Sequence, residues 1–174
     1  MDDTLTYESY LKLDELLSIQ ELLTNERTEL MFIVAHQASE LWFKVLIHEL
    51  NFSNSSMPKR IHLKRIVKIF EHLNTLWDII ATMTPRDYES FRTTLGTASG
   101  KQSNQYIEVE RLLKELPSKC YNREELCDVE NAFKKWQYTH MKTVERIIGD
   151  RPGTGGTSGV QYLKIAIDKR LFNE

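Results

Sequence analysis

Apolar residues return at helical spacing along nearly the whole chain, and no alternating apolar and polar run bounded by turns breaks the pattern. A chain written this way buries its apolar surface by packing helix against helix, so the expected class is all-α, a bundle of long helices. At 174 residues it has the length of one domain with a sizeable core, and residues 1–174 are expected to form a single unit. The sequence contains no internal repeat and no low-complexity tract.

The first segment, Thr6 to Leu23, gathers Tyr10, Leu13, Leu16, Leu17 and Leu23 opposite Asp14, Glu15 and Ser18. This predicts one amphipathic helix, with Leu11 stranded on its polar side. From Arg27 to Leu50 apolar residues occupy much of the circumference, the mark of a central helix, and NFSNSSMPK at 51–59 is turn and breaker chemistry. A third helix is predicted from Arg60 to Met83, burying Ile66, Phe70, Leu73, Trp77 and Ile80. Thr84-Pro85-Arg86-Asp87 then reads as a helix start: Thr84 can cap, Pro85 suits the first helical position and Asp87 favours the positive end. Past Leu95 come a polar loop, GTASGKQSNQ, a helical YIEVERLLKEL and a break at Pro117. Asn122 to Ile148 predicts another long helix, stopped by Gly149 and followed by the glycine-dense RPGTGGTSG at 151–159.

Charge and cysteine usage exclude several classes of function. With 23 basic and 25 acidic residues the chain has no field that would gather nucleic acid or anionic lipid. The N-terminus opens on acids rather than a secretory pattern, and no apolar stretch approaches the roughly 20 residues that cross a bilayer. A cytoplasmic protein with no membrane contact is expected. Cys120 and Cys127 lack C-x-x-C spacing, and there is no C-x-x-C-H for covalent haem attachment. No H-E-x-x-H and no close group of His and carboxylates is present, so a metal site built from protein ligands alone is not expected. The glycine loop lacks the G-x-x-x-x-G-K-[ST] order of a phosphate loop.

Four constellations remain. His140 shares a helix side with Trp136 and Val144; a neutral imidazole in an apolar slot is a common axial ligand to haem iron, although a lone helical His is more often structural. Phe32 and His36 stand four apart, hence stacked, and read either as a hydrogen-bonding handle in an aromatic pocket or as a core histidine. Tyr88 and Arg92 repeat that spacing, and Arg92 is either a carboxylate clamp or a solvated arginine. In the glycine loop Thr154, Thr157 and Ser158 supply hydroxyls where a backbone can approach a ligand, or else the loop is a connector.

Taken in order along the chain, four stretches closely resemble tryptophan 2,3-dioxygenase: LTYESYLKLDELLSIQ, ELMFIVAHQASELWFKVLIHEL, MTPRDYESFRTTLGTASGKQSNQY, and WQYTHMKTVERIIG with GTGGTSGVQYL. The resemblance implies an all-α bundle enclosing a pocket for haem b. His140 would be the axial ligand to the haem iron, with Ser99 in the loop beside the haem. His36 would be the catalytic residue that meets the indole N–H, Phe32 would line the indole pocket, and Tyr88, Arg92 and Thr154 would hold the carboxylate and ammonium. Tyr7, Tyr10 and Leu11 match residues that in the family enter a neighbouring subunit's active site, which implies a homo-oligomer, in the family a homotetramer. The implied reaction inserts O2 across the indole C2–C3 bond of L-tryptophan to give N-formylkynurenine.

The chain departs from the family in length. RLLKELPSKCYNRE, from Arg111 to Glu124, stands where family members have a much longer helical excursion, and the C-terminus past Tyr162 is curtailed. None of the matched positions falls in the missing part. The shortened scaffold leaves two alternatives beside the main reading: a haem-dependent oxygenase acting on a modified tryptophan or related indole, and a non-catalytic protein that binds haem or indole.

Overall fold

The computed structural model describes residues 4–55, 59–149, 151–156 and 158–172. Among them lie eight α-helices and no strand: α1 (Tyr7–Leu11), α2 (Leu13–Ser18), α3 (Arg27–Ser53), α4 (Arg60–Ile80), α5 (Pro85–Arg92), α6 (Asn104–Lys114), α7 (Arg123–Ile148) and α8 (Val160–Asp168). Of two 3-10 turns, Thr93–Leu95 leads into the polar loop and Gly100–Gln102 lies within it. The all-α expectation holds. Pro58 and Thr157 lie outside the described residues.

The frame is three long helices: α4 packs along both α3 and α7, α6 lies on α3, α8 on α7, and short α5 bridges α3 and α7. The apolar face predicted for α4 is the face that meets them, with Ile66, Phe70 and Leu73 wholly enclosed and Trp77 and Ile80 nearly so. Leu46 and Leu50 of α3, Val109 and Leu113 of α6, and Val129 and Phe133 of α7 complete the interior. Each such side chain contributes about 1.5–3 kcal/mol by leaving water, which outweighs the modest intrinsic helix propensity of the β-branched and aromatic ones among them.

The predicted starts and stops hold at α5 and α7. Thr84 and Asp87 exchange backbone and side-chain hydrogen bonds as a capping box, with Pro85 at the first position. Asn122 and Glu125 do the same for α7, and Gly149 ends it at φ 61, a conformation that an L side chain resists. Helix α8 goes beyond what the sequence pattern predicted. It is tied to α7 by Lys134, whose Nζ donates to the Ile167 carbonyl at 2.8 Å, and by Glu130, which accepts from the Leu171 N–H at 2.8 Å.

The single N-terminal helix is a correction. Lys12 takes the left-handed conformation (φ 53, ψ 47) and its N–H caps the Glu8 carbonyl, so the chain breaks into α1 and α2. No residue of either is buried, and α1 meets only α2. An amphipathic face stabilises a helix by being buried, and here it finds no surface within the chain. Residues 19–26 then run as a loop fastened from α3. Buried Glu29 accepts from the Leu23 N–H at 2.8 Å, the Thr24 N–H at 2.9 Å and the Thr24 hydroxyl at 2.5 Å.

A second correction concerns α3. Its 27 residues, with a mean hydropathy of 1.3 over the most apolar window, have the length and composition to cross a membrane. In this fold the helix instead packs on α4 and α6 and carries two buried carboxylates, Glu29 and Glu49. Glu49 accepts from His62 Nδ1 and Arg65 Nη1, each at 2.7 Å, tying α3 to α4. No cluster of three metal-ligating side chains occurs among the described residues.

Candidate active site

A continuous row of rings connects the two histidines. On α3, Phe32 and His36 lie with ring centroids 4.2 Å apart, as their spacing predicts. His36 meets the edge of Trp77 at 5.8 Å, and Trp77 stacks on His140 of α7 at 4.5 Å with 23° between planes. Trp136, one turn before His140, lies 5.9 Å from it. Tyr88 and Phe91 of α5 close on Phe32 at 5.8 and 5.4 Å. Three helices distant in sequence therefore bring Phe32, His36, Tyr88 and His140 into one aromatic assembly.

The protonation of both histidines follows from their surroundings. His36 Nδ1 lies 2.7 Å from the Phe32 carbonyl oxygen. A carbonyl can only accept, so Nδ1 carries the hydrogen and Nε2 is left as an acceptor. Burial holds the His36 pKa below its ordinary value, which keeps the ring neutral. His140 is pushed down to about 4, first by burial and then by the nearby His36. At neutral pH it offers an uncharged imidazole with a free lone pair, the form that binds a metal.

Beside His36 opens a mostly apolar pocket of about 440 Å³, walled by Phe32, Ile33 and His36 of α3, Ile19 and Leu23 of the preceding loop, and Leu95. Its size suits a small organic ligand. Burial raises the Tyr88 pKa above its ordinary value, so the phenol beside Phe32 is neutral.

The glycine loop is seated against α5 and the Ala98–Ser99 turn. Arg92 Nη2 donates to the Pro152 carbonyl at 2.6 Å, and the Thr154 hydroxyl to the Ala98 carbonyl at 2.5 Å. Gly155 lies so close to Ser99 that a Cβ there would sit 2.7 Å from Ser99 Cβ, and one at Gly159 would sit 2.6 Å from the Arg151 carbonyl oxygen. The two glycines let the backbone lie flush where any side chain would lift it. Arg92, Ser99 and Thr154 are thus brought together, and α5 joins this group to the aromatic one through Tyr88.

Tyr7, Tyr10 and Leu11 are not brought to the pocket. They stand on α1 with 74, 69 and 40% of their surface exposed. Sequence reasoning missed Trp77 as the ring between the histidines, the loop residues Ile19 and Leu23, and the pairing of Glu89 with Arg151. A Trp on the inner face of a helix carries no signal beyond core packing, and the other contacts join distant segments.

A sequence model of the family described as tryptophan 2,3-dioxygenase matches residues 1–125 and 122–174, the whole chain in two pieces. The chain belongs to the tryptophan 2,3-dioxygenase family. Among its relatives, tryptophan 2,3-dioxygenase of Bacillus thuringiensis is 34% identical over 253 residues, spanning 99% of this chain and 91% of that protein. Those of a Ruegeria species and of Pseudomonas aeruginosa are 32 and 31% identical, spanning 99 and 98% of this chain and 91 and 87% of theirs. Alignments of 253 residues outrun a chain of 174, and the two matched pieces meet at 122–125. The dioxygenase segment absent here therefore falls at the turn between α6 and α7. That turn is closed by its own contacts: Leu116 and Tyr121 are buried, and the Tyr121 hydroxyl donates to the Ser53 carbonyl at 3.0 Å.

The residues fit the family's haem. An imidazole lone pair lies in the ring plane, so Trp77 stacked on the face of His140 leaves it available to an iron that His140 would hold. The indole N–H groups of Trp77 and Trp136 are buried without a hydrogen-bond partner, as is Gln137 Oε1. The two indoles lie against the His140 ring, so a polar group held there would meet donors that the chain itself leaves unpaired.

Proposed function

We propose that the chain is a haem-dependent dioxygenase that adds both atoms of O2 across the indole C2–C3 bond of L-tryptophan, giving N-formylkynurenine. The observation that carries this reading is the neutral His36, with Nε2 free to accept, facing a mostly apolar pocket beside Phe32 and separated by one ring from a neutral His140.

In this reading His140 holds the haem iron and Ser99 lies beside the haem. The bound haem supplies the activation of dioxygen. Phe32 packs against the indole ring while His36 Nε2 accepts its N–H, a contact that favours an indole bearing that hydrogen. Arg92 pairs with the substrate carboxylate, assisted by Tyr88 and by the hydroxyl of Thr154. Both ends of the substrate are then fixed, and holding reactants in register is a large part of such a rate enhancement. Tyr7, Tyr10 and Leu11 of a second copy cover the pocket, in a homotetramer; their exposure here and the open pocket support that arrangement.

The test is anaerobic reduction of the haem-loaded protein followed by L-tryptophan and oxygen. Formylkynurenine absorbance, with one haem per chain lost in His140→Ala, is the expected result. Absence of that product from a protein that binds haem and tryptophan overturns the reading.

A further inference from the structure

Two arginines of opposite context meet at Glu89. Arg92 follows Glu89 by three residues on α5, the spacing at which acidic and basic side chains on a helix ordinarily pair. They do not pair closely here: Arg92 Nη1 lies 3.9 Å from Glu89 Oε2. That same oxygen is hydrogen-bonded to Nη1 of Arg151, from the glycine loop. Arg151 is held for this contact by the end of α7, where its Nε donates to the Ile148 carbonyl at 3.0 Å and its Nη2 to the Ile147 carbonyl at 3.5 Å. Those carbonyls form the negative end of the helix, a natural seat for a guanidinium. Arg92, its side chain 17% exposed, is left with a neutral partner, the Pro152 carbonyl. Two guanidinium groups thus share one carboxylate, Arg151 in direct hydrogen bond and Arg92 only at 3.9 Å, so the group keeps one positive charge in excess.

We propose that Arg151 is a positioning residue for substrate recognition: it draws the Glu89 carboxylate away from Arg92, so that Arg92 keeps its charge for the carboxylate of the incoming amino acid. This rests on the reading of Arg92 as that carboxylate's partner. Without Arg151, Glu89 turns along α5 to its i+3 neighbour. The substrate then competes with an internal carboxylate for the guanidinium and meets like charge beside its own. A ligand lacking the carboxylate is indifferent to the exchange. The device thus acts on specificity for amino acids over amines, through a residue that need not touch the ligand.

The experiment titrates haem-loaded protein with L-tryptophan and with tryptamine, which lacks the carboxylate, and follows the haem spectrum. Arg151→Ala is expected to weaken tryptophan about two- to fivefold, the effect of one exposed charge pair, and to leave tryptamine unchanged. Arg151→Lys, which keeps a cation near Glu89, recovers most of the loss. The deciding variant is Glu89→Gln in the Arg151→Ala background: with the competing charge removed, tryptophan affinity returns to the parent value. Failure of that double variant to recover, or equal weakening of both ligands, means that Arg151 only holds the loop and overturns the proposal. Parent-like tryptophan binding by Arg151→Ala overturns it as well. Arg92→Ala run alongside separates the two levels: if it too binds tryptophan like the parent, the assignment of Arg92 is at fault rather than the role of Arg151.

Discussion

Arg92 and His36 face the two ends of the proposed substrate with different physics, and their loss is expected to read differently. Removing one partner of a desolvated charge pair costs about 2–5 kcal/mol, so Arg92→Ala should raise the apparent tryptophan dissociation constant by roughly 30-fold or more. His36→Ala forfeits a neutral hydrogen bond, worth about 0.5–1.5 kcal/mol, and should weaken binding far less. It should also relax discrimination against 1-methyltryptophan, which has no indole N–H. Titration of both variants with both ligands checks this, and comparable losses from the two would contradict the division of labour. At this scale the sequence could pair Phe32 with His36, and set Tyr88 and Arg92 on one short helix, because these are local spacings on single helices. It could not show that Trp77 separates the histidines or that Glu89 answers to Arg151, since both depend on how α4 and the glycine loop dock.

Among the elements, α3 is bound to its neighbours by carboxylates as well as by apolar packing. Burial pushes the Glu49 carboxyl up, but the hydrogen bonds from His62 and Arg65 more than offset this and hold it below its ordinary 4.5. Glu29 is lowered chiefly by the Thr24 hydroxyl, against burial and with help from the Leu23 and Thr24 N–H groups. Both therefore lose protons more readily in the folded chain than in the unfolded one. Their stabilisation is complete above the ordinary carboxylate value and is lost as pH falls below it and through the folded values. Urea midpoints measured from pH 7 down to pH 3 should decline for the parent, and less steeply for Glu49→Gln, which begins about 1–3 kcal/mol less stable at neutral pH. An unchanged pH slope in that variant would remove Glu49 from the account. Helix positions were legible for α3 to α7 because each buries a face written at helical period, and at α5 and α7 capping residues mark the ends as well. The α1–α2 break was not, because periodicity records that an apolar face exists and is silent on whether anything covers it.

For the molecule as a whole, the unanswered surface is the outer side of α3 and the arm before it. Leu30, Val34, Leu41 and Val45 recur at helical spacing on one face and are 45, 46, 52 and 37% exposed, while Tyr7 and Tyr10 project from an arm with no buried residue. A contiguous apolar strip of this kind is a mark of an interface. In the homo-oligomer proposed above, a further copy of the same chain would cover this strip, with its arm reaching the open pocket at Phe32 and His36. The interior does not depend on that contact: α3, α4, α6 and α7 enclose their own core, and the α6–α7 turn is sealed by Leu116 and Tyr121. Assembly and folding should therefore separate. Sedimentation of the haem-loaded protein is expected to show a species larger than one 20.5 kDa chain, and Leu41→Glu to reduce it toward a single chain with helical content unchanged. Removal of residues 1–11 should leave the urea midpoint within about 0.5 kcal/mol of the parent in stability, as for any surface change away from the core, yet cut turnover by uncovering the pocket. A parent that sediments as one chain with full turnover, or an arm deletion as active as the parent, would show that each pocket is complete within its own chain.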